Sequence, residues 1–339
     1  MQTVIVIAVT HTPRMLAAIA LALPFALAAC GSGDQTPVAS EAATADCPTT
    51  PVRVVVSVDQ WGQIVSALGG ACAEVTTVLA GSSVDPHDFE PAPSDAADFQ
   101  GAQLVVVNGG HYDEWATKLA QSTAPDAPVV NAIDILGGEH EGHDHEGAGH
   151  EEPGHEGHDH ADGTNPHAWY SPVAVTDVAE AVTAKLTELA PAAGDYFAGK
   201  QTEFTQSMQP YRSLIDKIKD GAAGKTYAAT ESLFDDMAAA LELQNRTPQG
   251  YQVASSNETD PSPADLDAFL RLLGDRGVDV LIYNTQTEGS VPEQVRAAAE
   301  AAGVPVVNVT ETIAPGAETF EAWQVNQLTA LAEALGIST

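Results

Sequence analysis

The chain has 339 residues, enough for two domains of ordinary size, and 44% of them are hydrophobic. Its 47 acidic and 13 basic side chains give a formal net charge of −34. That balance excludes nucleic acid as a partner, because phosphate binding needs a basic surface, and it suits a protein that concentrates cations.

Arg14 is the only charged residue before Cys30, and the apolar run from Met15 ends in Leu27-Ala28-Ala29-Cys30. The run is too short for a comfortable transmembrane helix. It resembles a bacterial lipoprotein signal, which implies that residues 1–29 are removed and Cys30 is lipidated. The expected place is the outer face of the cell membrane, with 30–50 as a flexible tether of Ala, Ser, Thr, Pro and acids. Cys47 and Cys72 then form the expected disulfide of an exported chain.

Val-rich 53–58 reads as a buried strand and 61–68 as a helix ended by Gly69-Gly70. Strands follow at 74–79, 104–108 and 129–131, with helices capped by Ser94 and spanning 113–121. The periodicity predicts helices over 172–189 and, despite Gly199 and Pro210, over about 195–219. The alternation then restarts, with strands at 226–230, 249–254, 278–283 and 304–309. Helices are expected at 233–241, 263–273, 292–301 and 319–335. Alternating strands and helices define an α/β chain with two mostly parallel sheets. The expected organisation is an N-terminal lobe over 51–194, a linking helix over 195–220 and a C-terminal lobe over 221–339.

Seven of the eleven histidines (His140, His143, His145, His150, His155, His158 and His160) lie between Glu139 and Asp162 among nine carboxylates. Such a segment buries no core and is expected to be a disordered loop over 139–162. Neutral imidazoles on an anionic tether attract borderline divalent metals, so these residues are auxiliary metal candidates. The defined candidates are His87, His167, Glu231 and Glu288, in loops far apart in sequence and divided between the lobes. Two imidazoles and two carboxylates suit Zn(II) or Mn(II) and involve no thiolate. His111, after Gly109-Gly110, is a further auxiliary candidate, with an ordinary loop histidine as its alternative reading. Glu231 has the alternative role of capping the helix after it.

The segments Asp85-Pro86-His87-Asp88-Phe89-Glu90-Pro91 and Asn165-Pro166-His167-Ala168-Trp169 resemble the two histidine motifs of the zinc/manganese substrate-binding lipoproteins of ABC importers. Thr230-Glu231-Ser232 resembles that family's third motif, and Val280 to Glu288 its fourth. The fourth motif usually offers Asp, so Asn284, Gln286, Glu258 or a water are alternatives to Glu288 there. The resemblance implies two α/β lobes joined by a rigid helix, with a metal cleft between them. It also implies a monomeric, non-enzymatic protein that captures zinc, or alternatively manganese, and delivers it to a membrane permease. The rival readings are a secreted zinc hydrolase, for which the sequence offers no HExxH or GxSxG, and a surface metal buffer or adhesin.

Overall fold

The computed structural model describes residues 47–81, 89–138, 165–257, 259–287 and 289–339. The signal segment, Cys30, His87, Glu288 and the seven clustered histidines lie outside these residues.

The N-terminal half opens with β1 (Val52–Val58), α1 (Asp59–Gly69) and β2 (Ala73–Leu79). It continues with α2 (Pro93–Asp98), β3 (Leu104–Val107), α3 (Glu114–Thr123), β4 (Val129–Asn131) and α4 (Ala132–Gly138). Next come α5 (Pro172–Leu189), α6 (Gly194–Ser207) and α7 (Gln209–Gly221). The C-terminal half contains β5 (Thr226–Ala229), α8 (Asp235–Ala240), β6 (Gln244–Asn245), α9 (Gln249–Ser256) and α10 (Pro263–Gly274). β7 (Val280–Asn284), α11 (Ser290–Ala302), β8 (Val306–Val309) and α12 (Phe320–Leu335) complete it.

Each half holds a four-stranded parallel sheet, in the orders β2-β1-β3-β4 and β6-β5-β7-β8. Alternate residues of a strand face opposite sides of its sheet, and here the two sides have different partners. Val55, Val105 and Val107 pack outward with Phe99, Ala116 and Ala120 of the N-terminal half. Ala228 and Leu281 pack outward with Phe269, Leu273, Val295 and Ala299 of the C-terminal half. The inner-facing residues Val54, Val56, Tyr227, Ile282 and Val309 belong to one continuous core. That core also takes in Trp169, Tyr170, Phe234 and Trp323. Tyr170 packs on Phe234 and Trp323 with ring centroids 5.5 and 5.8 Å apart. The two sheets therefore share their inner core rather than meeting across a thin hinge.

The connection between the halves is helical throughout, in two segments separated only by Met208, with Pro210 in the first turn of α7. Proline lacks an N–H, so it starts a helix more easily than it continues one. Ser171, Ser262 and Thr319 each cap a helix, accepting from the N–H of Ala174, Asp265 and Ala322.

Two local expectations are corrected. Residues 249–254 form helix α9, not a strand: after Pro248 the chain turns helical, burying Tyr251 while Val253 is 54% exposed. A strand would put both residues on one face. Ser94 does not cap α2; Ala92 precedes the helix, and its N–H donates to the Asp95 carboxylate at 2.7 Å. Among the described residues no helix is long and apolar enough to cross a membrane.

Cys47 and Cys72 form the expected disulfide, with Cα atoms 5.2 Å apart, tying the segment before β1 to the turn after α1. The bridge closes a chain separation of 25 residues. A loop of that size restricts the unfolded chain by about 3 kcal/mol. Cys47→Ser with Cys72→Ser should lower the melting temperature by several degrees in thermal unfolding followed by circular dichroism.

Candidate metal centre

In parallel sheets, side chains just beyond the carboxyl ends of strands converge on one edge. Here the two edges face one seam, and three chain segments bring ligand-bearing residues to it.

His167 precedes a 3-10 turn, Ala168–Tyr170. Its segment is pinned against the end of β3 by Asn108, whose Nδ2 donates to the Pro166 carbonyl at 2.6 Å. Asn108 Oδ1 accepts from Trp61 Nε1 at 3.0 Å, so its amide is held from both sides. Gly109 makes the turn possible: its φ is +83°, and a Cβ there would lie 2.1 Å from Asn131 Oδ1. Asp113 closes the turn by accepting from the N–H groups of Asn108 and Gly109 at 2.6 and 2.8 Å. Burial raises the Asp113 pKa above the ordinary aspartate value, while those backbone donors oppose the shift.

The imidazole of His167 is buried, and its orientation is set by Asn165. Asn165 Oδ1 lies 2.7 Å from Nδ1 and accepts the His167 N–H at 3.2 Å. Asn165 Nδ2 donates to the Ser232 carbonyl at 2.9 Å, which identifies the oxygen facing the ring. An amide oxygen only accepts, so Nδ1 carries the proton and the Nε2 lone pair points into the seam. The Ser232 bond also joins the His167 segment to the loop bearing Glu231.

Glu231 stands two residues beyond the end of β5, and its side chain makes no capping bond to the turn after it. Its Oε1 accepts from Thr287 Oγ1, and its Oε2 accepts from Asn284 Nδ2 at 2.6 Å. Glu311 stands two residues beyond the end of β8 and is fully buried. Its Oε1 accepts from Asn284 Nδ2 at 2.8 Å and its Oε2 from the Tyr112 hydroxyl at 3.2 Å. Oε2 also lies 3.8 Å from His167 Nε2. Burial, then the Glu311 charge, raises the Tyr112 pKa well above the ordinary phenol value, so the hydroxyl stays a donor.

Backbone contacts fix the Glu311 turn from both halves. Gln286 Oε1 accepts from the N–H groups of Glu311 and Thr312 at 2.8 and 3.0 Å. Gln60, at the start of α1, donates to the Glu311 carbonyl at 2.6 Å. Its neighbour Asp59 accepts from the N–H of Gly81 at 2.8 Å and of Ile313 at 3.3 Å.

His167, Glu231 and Glu311 each offer a ligand atom, all within 4.8 Å of one another. One neutral imidazole and two carboxylates form a donor set for a borderline divalent cation. Of the residues expected from sequence, the structure brings together His167 and Glu231. Glu311 was missed, although Thr310-Glu311 repeats Thr230-Glu231 in residue type and in distance from a strand end. Asn284 and Gln286, named as substitute ligands, instead donate to or shape the carboxylate groups. His111 is exposed, adopts a left-handed φ of 68° and pairs with Glu114, outside the three-residue group. His87, Glu288 and the alternative ligand Glu258 lie outside the described residues.

Two parallel-sheet lobes whose seam holds a buried imidazole, a buried carboxylate and a half-buried one define a metal-binding class of bilobal protein. Residues 54–334 match the family model described as zinc-uptake complex component A, periplasmic (ZnuA), and the chain belongs to that family of ABC-importer substrate-binding proteins. It is 30% identical over 220 residues to the high-affinity zinc uptake system protein ZnuA of Bacillus subtilis (strain 168), covering 64% of this chain and 66% of that protein. It is 26% identical over 169 residues to the manganese-binding lipoprotein MntA of Halalkalibacterium halodurans, covering 48% of each. The chain thus matches about half to two thirds of these relatives' length. The structure of FpvC from Pseudomonas aeruginosa in complex with Mn2+ shares the fold, with a TM-score of 0.65 and 19% identity, over 85% of this chain and 99% of that one.

The Asn165 contacts generate a direct expectation. Asn165→Ala removes both the Nδ1 acceptor and the bond to Ser232, and should weaken metal affinity by about tenfold or more. Competition titration against a chromophoric chelator measures the change.

Proposed function

We propose that the protein is the extracytoplasmic metal-binding component of an ABC importer, capturing one divalent ion and passing it to a membrane permease. The ligands in this reading are His167 through Nε2, Glu231, Glu311 and His87. Glu311 takes the second carboxylate place that the sequence assigned to Glu288. The observation that carries the proposal is the three-residue group itself, with its donor atoms within 4.8 Å and one imidazole tautomer fixed by Asn165. His87 is supported by its Asp-Pro-His-Asp motif.

Zinc is the proposed cargo ahead of manganese. Similarity to the Bacillus subtilis zinc uptake protein supports it, as does the first-row affinity order for comparable ligands. The histidine-rich run gathers zinc weakly near the membrane and the seam then takes it. Lipidation at Cys30 keeps the monomeric protein beside its permease. The shared inner core favours small adjustments at the seam over wide lobe opening.

Deleting residues 139–162 should leave one tight zinc site, whereas His167→Ala with Glu311→Ala should abolish it, as read by isothermal titration. Loss of the tight site on loop deletion alone would place the site in the histidine run. Zinc affinity should also fall with pH, because imidazole and carboxylate ligands must shed protons to bind. Titrations between neutral and mildly acidic pH test that sign, and a flat profile would contradict this ligand set.

A further inference from the structure

Asn284, an alternative ligand on the sequence reading, lies between the two acids and donates to both. It ends β7, the strand between β5 and β8 in the second sheet. Glu231 follows β5 and Glu311 follows β8, each by two residues. The topology therefore puts the last residue of β7 between the two acids. Asn284 is fully buried there, and its single Nδ2 donates to Glu231 Oε2 at 2.6 Å and to Glu311 Oε1 at 2.8 Å.

The amide cannot be turned the other way. Its Oδ1 accepts from the N–H of Gln286 at 3.0 Å, and its own N–H donates to Thr230 Oγ1 at 3.1 Å. A flipped amide would aim oxygen at two carboxylates and an N–H group at another donor. The donor between the acids is also uncharged. A lysine there would neutralise the charge that attracts the cation; an amide orders the carboxylates and leaves that charge in place.

Resting on the zinc reading above, we infer that Asn284 is a positioning residue that sets metal selectivity by keeping both carboxylates one-oxygen ligands. An NH2 bound to one oxygen of each acid opposes the rotation that would present both oxygens to the same ion. At Glu311, Oε1 is held by Asn284, while Oε2 accepts from the Tyr112 hydroxyl and is the oxygen that faces His167 Nε2, at 3.8 Å. One-oxygen carboxylates suit the four-coordinate geometry zinc accepts. Manganese favours six ligands, for which chelating carboxylates are the ready source. Asn284 thereby disfavours manganese without touching either metal.

The test compares wild type, Asn284→Leu, which keeps the volume and removes both donors, and Asn284→Ser, which restores one donor. Zinc and manganese affinities are measured by competition, and the visible spectrum of the cobalt(II)-loaded protein reports coordination number. The expected result is a zinc-to-manganese affinity ratio about tenfold lower in Asn284→Leu. Its cobalt spectrum should change from the intense four-coordinate form toward the weak six-coordinate form, with Asn284→Ser intermediate in both. Equal losses for both metals with an unchanged cobalt spectrum would make Asn284 merely structural and overturn the proposal. If Asn284→Leu does not fold, Asn284→Ser alone decides: its ratio and spectrum must shift, and wild-type values in it overturn the proposal. A wild-type protein that holds cobalt six-coordinate would sink the zinc reading itself, an outcome visible before any variant is made.

Discussion

Two carboxylates, Glu231 and Glu311, are held side by side at a seam where Glu311 has no contact with solvent. At 4.8 Å, two unit charges repel by about 3.5 kcal/mol at an effective dielectric of about 20, and by more at any shorter separation. A fold that keeps them there must supply hydrogen-bond donors to both acids. Among the described residues those donors include the Asn284 amide and the Thr287 and Tyr112 hydroxyls, while Gln286 Oε1 accepts from the backbone N–H of Glu311 and fixes its turn. In the proposed function, the close pair of carboxylates beside His167 is what attracts the cation.

The same requirement accounts for the shared core. Candidate ligand residues from three segments keep a common geometry only if the two sheets cannot drift apart. Tyr170 shows how this is secured: its ring packs on Phe234 and Trp323, and its hydroxyl donates to the Thr310 carbonyl at 2.7 Å, one residue from Glu311. Thr310 is held in turn by Gln327 and Trp323 of α12, which accept its N–H and donate to its hydroxyl at 3.0 and 2.9 Å. From the other half, Gln60 and Asp59 grip the same turn. The segment bearing Glu311 is thus fixed from both sheets, as befits a site whose ligands belong to distant parts of the chain.

Much of this was legible in the sequence, for identifiable reasons. Residues 54–56 and 280–283 are continuous apolar runs because parallel strands are covered on both faces. Ser171-Pro172 and Ser262-Pro263 announce helices through cap chemistry that acts locally. His167 and Glu231 were found because each lies in a recognisable short motif. Residues 249–254 misled because a six-residue segment with Tyr251 and Val253 two apart does not separate a strand from a short helix, and only the packing of Tyr251 decides. Glu311 was missed because its role depends on strand order: β8 neighbours β7, and β7 neighbours β5. No local pattern encodes that adjacency, although the repeated Thr-Glu pair after a strand was its trace.

The most direct test of the central claim is a zinc-edge anomalous difference map from crystals of the zinc-loaded protein. The account predicts one strong peak within coordination distance of His167 Nε2 and of one oxygen each from Glu231 and Glu311. A strong peak only among the histidines between residues 139 and 162, with Glu231 and Glu311 holding no metal, would contradict it.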